Sequence, residues 1–218
     1  ARERGMPACV LTFEPHPREL FNPQDAPARI TRMRDKLELL ADAGMDRVHV
    51  ARFDRRLASM TAQRFIEDLL VAGLGVRWLL VGGDFRFGAK RAGGLALLRS
   101  EGARFGFEVE AMPEVREADE RVSSSAVRAA LAAGDLEAAE RLLGRPYTLS
   151  GRIAHGAKLG RTLGFPTANL MLRRAPPVAG VFAVSAQDEA NGERWIGAAS
   201  VGLRPTVNAV KVPLLEAH

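Results

Sequence analysis

The texture of the chain changes once, at Gly144-Arg145-Pro146, and that change limits the fold more than any other feature. Before it, short apolar runs alternate with stretches of helical spacing. Residues 9–13, 48–50, 78–81 and 107–112 read as strands, and residues 31–43, 61–72 and 95–101 as helices. Gly44 and Gly73 stop the first two helices. Strand and helix in alternation predict a parallel, doubly wound α/β sheet. Two further helical patterns, 125–133 and 135–143, flank Gly134 just before the break. After it, residues 147–153, 181–186, 195–201 and 212–218 read as strands punctuated by Pro and Gly, which predicts a small all-β barrel or sandwich. The expected domains are 1–144 and 145–218. The first six residues read as a helix tail and the last seven as a strand, so both ends are expected to be incomplete.

Composition narrows the function classes. A chain of 218 residues with 47% hydrophobic and 26% charged residues suits a globular protein. Cys9 is the sole cysteine, which excludes an internal disulfide framework and fits a reducing compartment. No secretory h-region and no apolar run of ~20 residues is visible, so the expectation is a cytoplasmic protein without a membrane partner. The net charge of +5 lies after the break: residues 1–144 hold 22 Lys/Arg and 22 Asp/Glu, and residues 145–218 hold nine and four. Those cations are spread thinly, which suits a polyanionic small ligand better than a nucleic acid. The oligomeric state is left open.

Candidate chemistry sits in five places. The stretch from His155 to Asn169, HGAKLGRTLGFPTAN, carries Gly156, Gly160 and Gly164 with Lys158 and Arg161. Glycines let a backbone approach a ligand closely, and the cations suit phosphate oxygens. Thr167 and Asn169 share a face if that segment is extended, and their oxygens are hard donors that suit Mg²⁺ with a nucleotide. The same residues also read as a basic surface loop leading into a strand. Thr12-Phe13-Glu14-Pro15-His16-Pro17 follows a strand, so His16 either faces a crevice at the strand's carboxyl end or stands in an exposed turn. In Gly82-Gly83-Asp84-Phe85-Arg86-Phe87-Gly88, Asp84 can hold a donor, Phe85 or Phe87 can stack on a flat ring, and Arg86 adds charge; a tight turn with core aromatics fits equally. Ser123, Ser124 and Ser125 open a helix with Arg128 one turn in, which suits both a cap and an anion site. Glu216, in Leu214-Leu215-Glu216-Ala217-His218, is a lone carboxylate in an apolar strand or a frayed chain end.

These motifs, in this order, resemble the bacterial bifunctional riboflavin kinase/FMN adenylyltransferase (FAD synthetase) family. GRTLGFPTAN resembles the riboflavin kinase signature, and the resemblance implies that Thr167 and Asn169 hold Mg²⁺ and ATP phosphates. Gly156, Lys158, Gly160 and Arg161 then line the phosphates, and Glu216 and His218 match the family's (L/M)ExH pattern, with Glu216 as catalytic base. TFEPHP, GxDFRFG and SSxxxR resemble the adenylyltransferase half, which implies flavin or ATP contacts for His16, Asp84, Phe85, Arg86, Phe87, Ser124, Ser125 and Arg128. The chain departs from the pattern at Gly83, where the family usually has an acidic residue, and at Ala157 and Leu159. The family's GxFDGxHxGH motif is expected upstream of Ala1, and its last strand and C-terminal helix beyond His218. The implied fold is a Rossmann-like nucleotidyltransferase domain followed by a small antiparallel β-barrel. The implied reactions phosphorylate riboflavin to FMN and adenylylate FMN to FAD, with ATP and Mg²⁺. A different class of reading, a non-catalytic flavin-, nucleotide- or RNA-binding module, fits the same residues.

Overall fold

A computed structural model describes residues 1–154, 167–172, 174–205 and 211–218. By contact, the chain divides into two compact units: Ala1–Pro27 with Leu37–Val115, and Ala28–Lys36 with Arg116–His218.

In the first unit β1 (Cys9–Glu14) precedes α1 (Pro17–Phe21) and α2 (Met33–Asp42), whose first residues belong to the second unit. β1 pairs in parallel with β2 (Arg47–Arg52), Val10 opposite Val48. Two short helices follow, α3 (Arg55–Ser59) and α4 (Ala62–Arg64), capped by the Asp54 and Thr61 side chains. α4 runs on as π-type turns over Phe65–Gly73. β3 (Trp78–Gly82) pairs in parallel with β4 (Glu108–Met112) across α5 (Leu95–Phe105). α5 closes on β4 because residue 102 is glycine: a Cβ there would stand 2.5 Å from the Phe107 carbonyl oxygen. Phe65, Ile66, Leu70, Phe87, Leu98 and Phe107 form the core, and Leu11, Phe13, Leu79, Val81 and Val109 reach it from the strands.

The second unit begins with the antiparallel pair β5 (Arg116–Glu117) and β6 (Glu120–Arg121), then α6 (Ser124–Ala132) and α7 (Leu136–Leu143). Ser123 and Asp135 cap these helices, and Gly144 ends α7 in the left-handed region at φ 67°. Five strands follow: β7 (Ile153–Ala154), β8 (Ala168–Met171), β9 (Gly180–Gln187), β10 (Arg194–Pro205) and β11 (Lys211–Ala217). They form one antiparallel sheet in the order β7-β8-β11-β10-β9. Val127, Leu131, Ala139 and Leu142 from the helices pack with Leu172, Val178 and Val201, so α6 and α7 share a core with this sheet although they precede the break at 144–146. Ile30 joins that core, and Arg32 and Asp35 bond to Ser150, which holds residues 28–36 in the second unit.

Three expectations change in detail. The doubly wound sheet is two parallel βαβ pairs, with no strand bridging them among the described residues. The antiparallel sheet is open among the described residues, with no pairing of β7 to β9, so it is no closed barrel there. The strand expected over 147–153 shortens to Ile153–Ala154, because Tyr147 and Leu149 enter the core and Ser150 is claimed by Arg32 and Asp35.

Candidate functional site

The sheet of the second unit brings two of the sequence candidates together. Glu216 on β11 pairs directly with Asn169 on β8, and Leu215 with Leu170. Directly opposed residues project from the same face, with Cβ atoms ~4.5–5.5 Å apart. Alternation sends the neighbours the other way: Leu215, Val201 and Phe182 pack into the core shared with α6 and α7. Glu216 and Asn169 are therefore side by side on the opposite face, both half-buried. They stand 47 positions apart in sequence, and the strand pairing joins them.

The Asn169 Oδ1 atom is buried without a hydrogen-bond partner among the described residues. An unmet buried carbonyl costs ~1–3 kcal/mol, so such an atom marks a place where a ligand completes the bonding. An amide oxygen is a hard neutral donor of the kind Mg²⁺ accepts. Thr167, exposed and two residues ahead of Asn169, offers a hydroxyl oxygen from the approach to β8. The donor set thus fits an oxygen-seeking divalent cation. Gly156, Lys158, Gly160 and Arg161 lie outside the described residues. On the far side of Glu216 stands Ser200 of β10, its direct cross-strand partner, a residue the sequence motifs did not single out.

The other candidates are divided between the units. His16 caps α1, its Nδ1 accepting from the Arg18 backbone N–H at 3.2 Å, immediately beyond the carboxyl end of β1. Two prolines flank it, the first in a cis peptide after Glu14. Asp84 is exposed on the turn that leaves β3, and Arg86 beside it is exposed and donates to the Phe85 carbonyl. Phe85 is half-buried and stacks on Phe87 at 5.6 Å. Phe87 itself is buried, packed 5.0 Å from Phe65 and against Gly93, where a Cβ would stand 2.6 Å from the ring. Its ring belongs to the core, so of the two phenylalanines Phe85 alone is partly exposed to a ligand.

In the second unit Ser123 accepts from the Ala126 N–H and so takes the capping role at α6. Ser124 and Ser125 follow it, both exposed, with hydroxyls the cap does not use. Arg128 donates through Nε to the Ala28 carbonyl at 2.7 Å and through Nη1 to the Ser124 carbonyl at 3.0 Å. Its guanidinium therefore ties the start of α6 to the segment 28–36. Nearby, burial pushes the Tyr147 hydroxyl up to about 12, with Arg145 opposing the shift and Asp35 adding to it.

Known proteins carry the same two halves in the same order. A family described as FAD synthetase matches residues 1–126, and one described as riboflavin kinase matches residues 143–218. A protein of Escherichia coli strain K12 named bifunctional riboflavin kinase/FMN adenylyltransferase is 51% identical over 219 residues, covering 100% of this chain and 69% of its own length. A Haemophilus influenzae protein of the same name is 48% identical, covering 100% of this chain and 70% of its own. A solved structure titled as a macrolide-efflux protein from Streptococcus pneumoniae superposes with a TM-score of 0.77 at 26% identity, covering 100% of this chain and 71% of that one. With both halves matched in order and half of all positions shared with the Escherichia coli relative, the chain belongs to the bifunctional riboflavin kinase/FMN adenylyltransferase family.

Proposed function

We propose that this protein makes flavin cofactors, transferring the ATP γ-phosphoryl group to the riboflavin 5′-hydroxyl to give FMN and joining AMP to FMN to give FAD. The observation that carries the first reaction is the pairing of Glu216 with Asn169, whose buried oxygen lacks a partner among the described residues. A carboxylate beside the acceptor hydroxyl takes its proton as the oxygen bonds to phosphorus. ADP leaves with the electrons of the broken bond. Thr167 and Asn169 are the residues that would hold Mg²⁺; when bound, the cation neutralises charge on the phosphate oxygens. By the family resemblance, Lys158 and Arg161 of the glycine stretch neutralise charge on the ATP phosphates. The acceptor then approaches Glu216 from the side away from Asn169.

The second reaction uses the adenylyltransferase motifs. An FMN phosphate oxygen attacks the α-phosphorus of ATP and pyrophosphate leaves. Exposed Asp84 and Arg86 and half-buried Phe85 at the end of β3 suit a ribose, a phosphate and a flat ring. His16 orders the turn beyond β1. The start of α6, with Ser124 and Ser125 exposed and Arg128 one turn in, suits an anion. No helix among the described residues is long and apolar enough to cross a membrane.

The test measures FMN and FAD formation separately in the full-length protein. Asn169→Ala should remove FMN formation from riboflavin and leave FAD formation from supplied FMN. Arg128→Ala should do the reverse. Unchanged FMN formation by folded Asn169→Ala would refute the kinase site, and loss of both activities in either folded variant would refute the division into two sites.

A further inference from the structure

Three strands of the second unit each carry one polar side chain in an otherwise apolar run. In β8, Ala168–Met171, it is Asn169. In the last six residues of β11 it is Glu216, and between Trp195 and Leu203 of β10 it is Ser200. The register sets all three in one row, Asn169 opposite Glu216 and Glu216 opposite Ser200. The row ends in apolar residues on both sides, Ala154 beyond Asn169 and Val181 beyond Ser200. The adjacent row on the same face is Met171, Leu214 and Gly202. A Cβ built on Gly202 would meet nothing within 4 Å, so the face next to Ser200 is open. Ser200 itself is exposed.

A polar row with a carboxylate at its centre has two sides. Resting on the kinase reading above, the Asn169 side takes the phosphoryl donor, and the acceptor must reach Glu216 from the other. Strands lie ~4.7–4.9 Å apart, so the row spans about 10 Å from Asn169 to Ser200. The acceptor presents a terminal hydroxyl on a chain of further hydroxyls. A serine one strand beyond the base stands where the next of those hydroxyls passes.

We propose that Ser200 is a positioning residue for the phosphoryl acceptor: its hydroxyl hydrogen-bonds an internal hydroxyl of the acceptor's polyol chain and so aims the terminal hydroxyl at Glu216. The contact selects acceptors with a hydroxylated side chain over those with a plain alkyl chain.

The experiment compares two flavins on the full-length protein, riboflavin and a flavin whose side chain is 5-hydroxypentyl, which keeps only the terminal hydroxyl. Binding is read by quenching of flavin fluorescence, and turnover by formation of the phosphorylated product. Ser200→Ala should weaken riboflavin binding about five- to tenfold, the size of one net hydrogen bond, and change binding of the hydroxypentyl flavin by less than about twofold. Ser200→Thr, which keeps the hydroxyl, should restore riboflavin binding. Equal losses for both flavins would make the effect structural and overturn the proposal, as would no loss for either. Phosphoryl transfer by the parent protein without the binding difference overturns Ser200 and leaves the kinase reading. The binding difference without phosphoryl transfer removes the kinase reading and leaves the Ser200 contact. A parent protein that binds neither flavin overturns both.

Discussion

Replacing Asn169 by leucine should make the unliganded protein more stable and the liganded one less so. The buried Oδ1 of Asn169 has no partner among the described residues, and an unmet buried acceptor costs ~1–3 kcal/mol. Leucine has nearly the same shape and no polar atom, and Asn169 sits in a strand whose neighbours Ala168, Leu170 and Met171 are apolar. The substitution should therefore recover about 1–2 kcal/mol. At ~2–4 °C per kcal/mol for a chain of this size, the midpoint of unfolding should rise by roughly 2–8 °C. Saturation with a ligand at about 100 times its Kd stabilises a protein by ~2.7 kcal/mol. The parent should gain that increment at this site from Mg²⁺ and ATP, and Asn169→Leu should not. Two units need a local probe. Trp195 lies on β10 and Trp78 in the other unit, so a Trp78→Phe background reports the sheet through Trp195. The predicted result is a crossing: the variant melts higher alone, the parent higher with Mg²⁺ and ATP. A variant that melts lower without nucleotide would mean the amide holds the sheet together. An undiminished Mg²⁺-dependent shift would mean the cation binds elsewhere.

Glu216→Gln should retain nucleotide binding and lower FMN formation by a factor on the order of 10²–10⁴, the usual contribution of a positioned base; full turnover in a steady-state assay would remove Glu216 from that role. Gly197→Ala should place a Cβ against the His218 carbonyl, which pairs with the Ala198 N–H at 2.8 Å two residues from Glu216. The end of β11 must shift, and FMN formation should fall at least about tenfold, because a displacement near 1 Å costs up to ~10²-fold; unchanged turnover would show that the strand end yields harmlessly. Tyr147 is the single tyrosine, so its ionisation can be followed directly by tyrosinate absorbance. Its pKa is raised from 10.0 to about 12 by burial, so the folded state favours the neutral phenol. The stability this contributes is fully present below pH 10 and is lost as pH rises through 12, and Tyr147→Phe should remove that part of the alkaline slope. A native titration midpoint near the denatured one would refute it.

Much of the fold was readable because it depends on local pattern. The apolar runs at 9–13 and 78–81 became β1 and β3, and the amphipathic stretch at 135–143 became α7, capped by Asp135 and stopped by Gly144. Capping chemistry was also local, but the three serines left its assignment open, and backbone geometry gave it to Ser123. His16 shows the limit of a motif: its place after a strand was legible, while the helix it caps is five residues long and too short to stand out by periodicity. Phe85 and Phe87 could not be told apart by sequence, since a two-residue offset in a turn does not say which ring faces the core.

Long-range features escaped because nothing in the sequence encodes a register between strands far apart. Asn169 and Glu216 were each visible inside a motif, but their adjacency rests on β8 meeting β11. Ser200 carried no signal at all, standing in a run of small and apolar residues until β10 was set against β11. The segment 28–36 was equally opaque: Arg32 and Asp35 fall at the start of the helix expected over 31–43, and only packing shows them bonded to Ser150. The same contacts bear on Arg128. Its two bonds to the Ala28 and Ser124 carbonyls hold the first turn of α6, so a loss of FAD formation on substituting it has two physical routes, a missing phosphate partner or a displaced helix start. Lysine at 128 separates them: it keeps a charge for phosphate but cannot reproduce the guanidinium fork that spans two carbonyls. Activity retained by Arg128→Lys would assign the residue to charge, and activity lost with lowered stability would assign it to the fork.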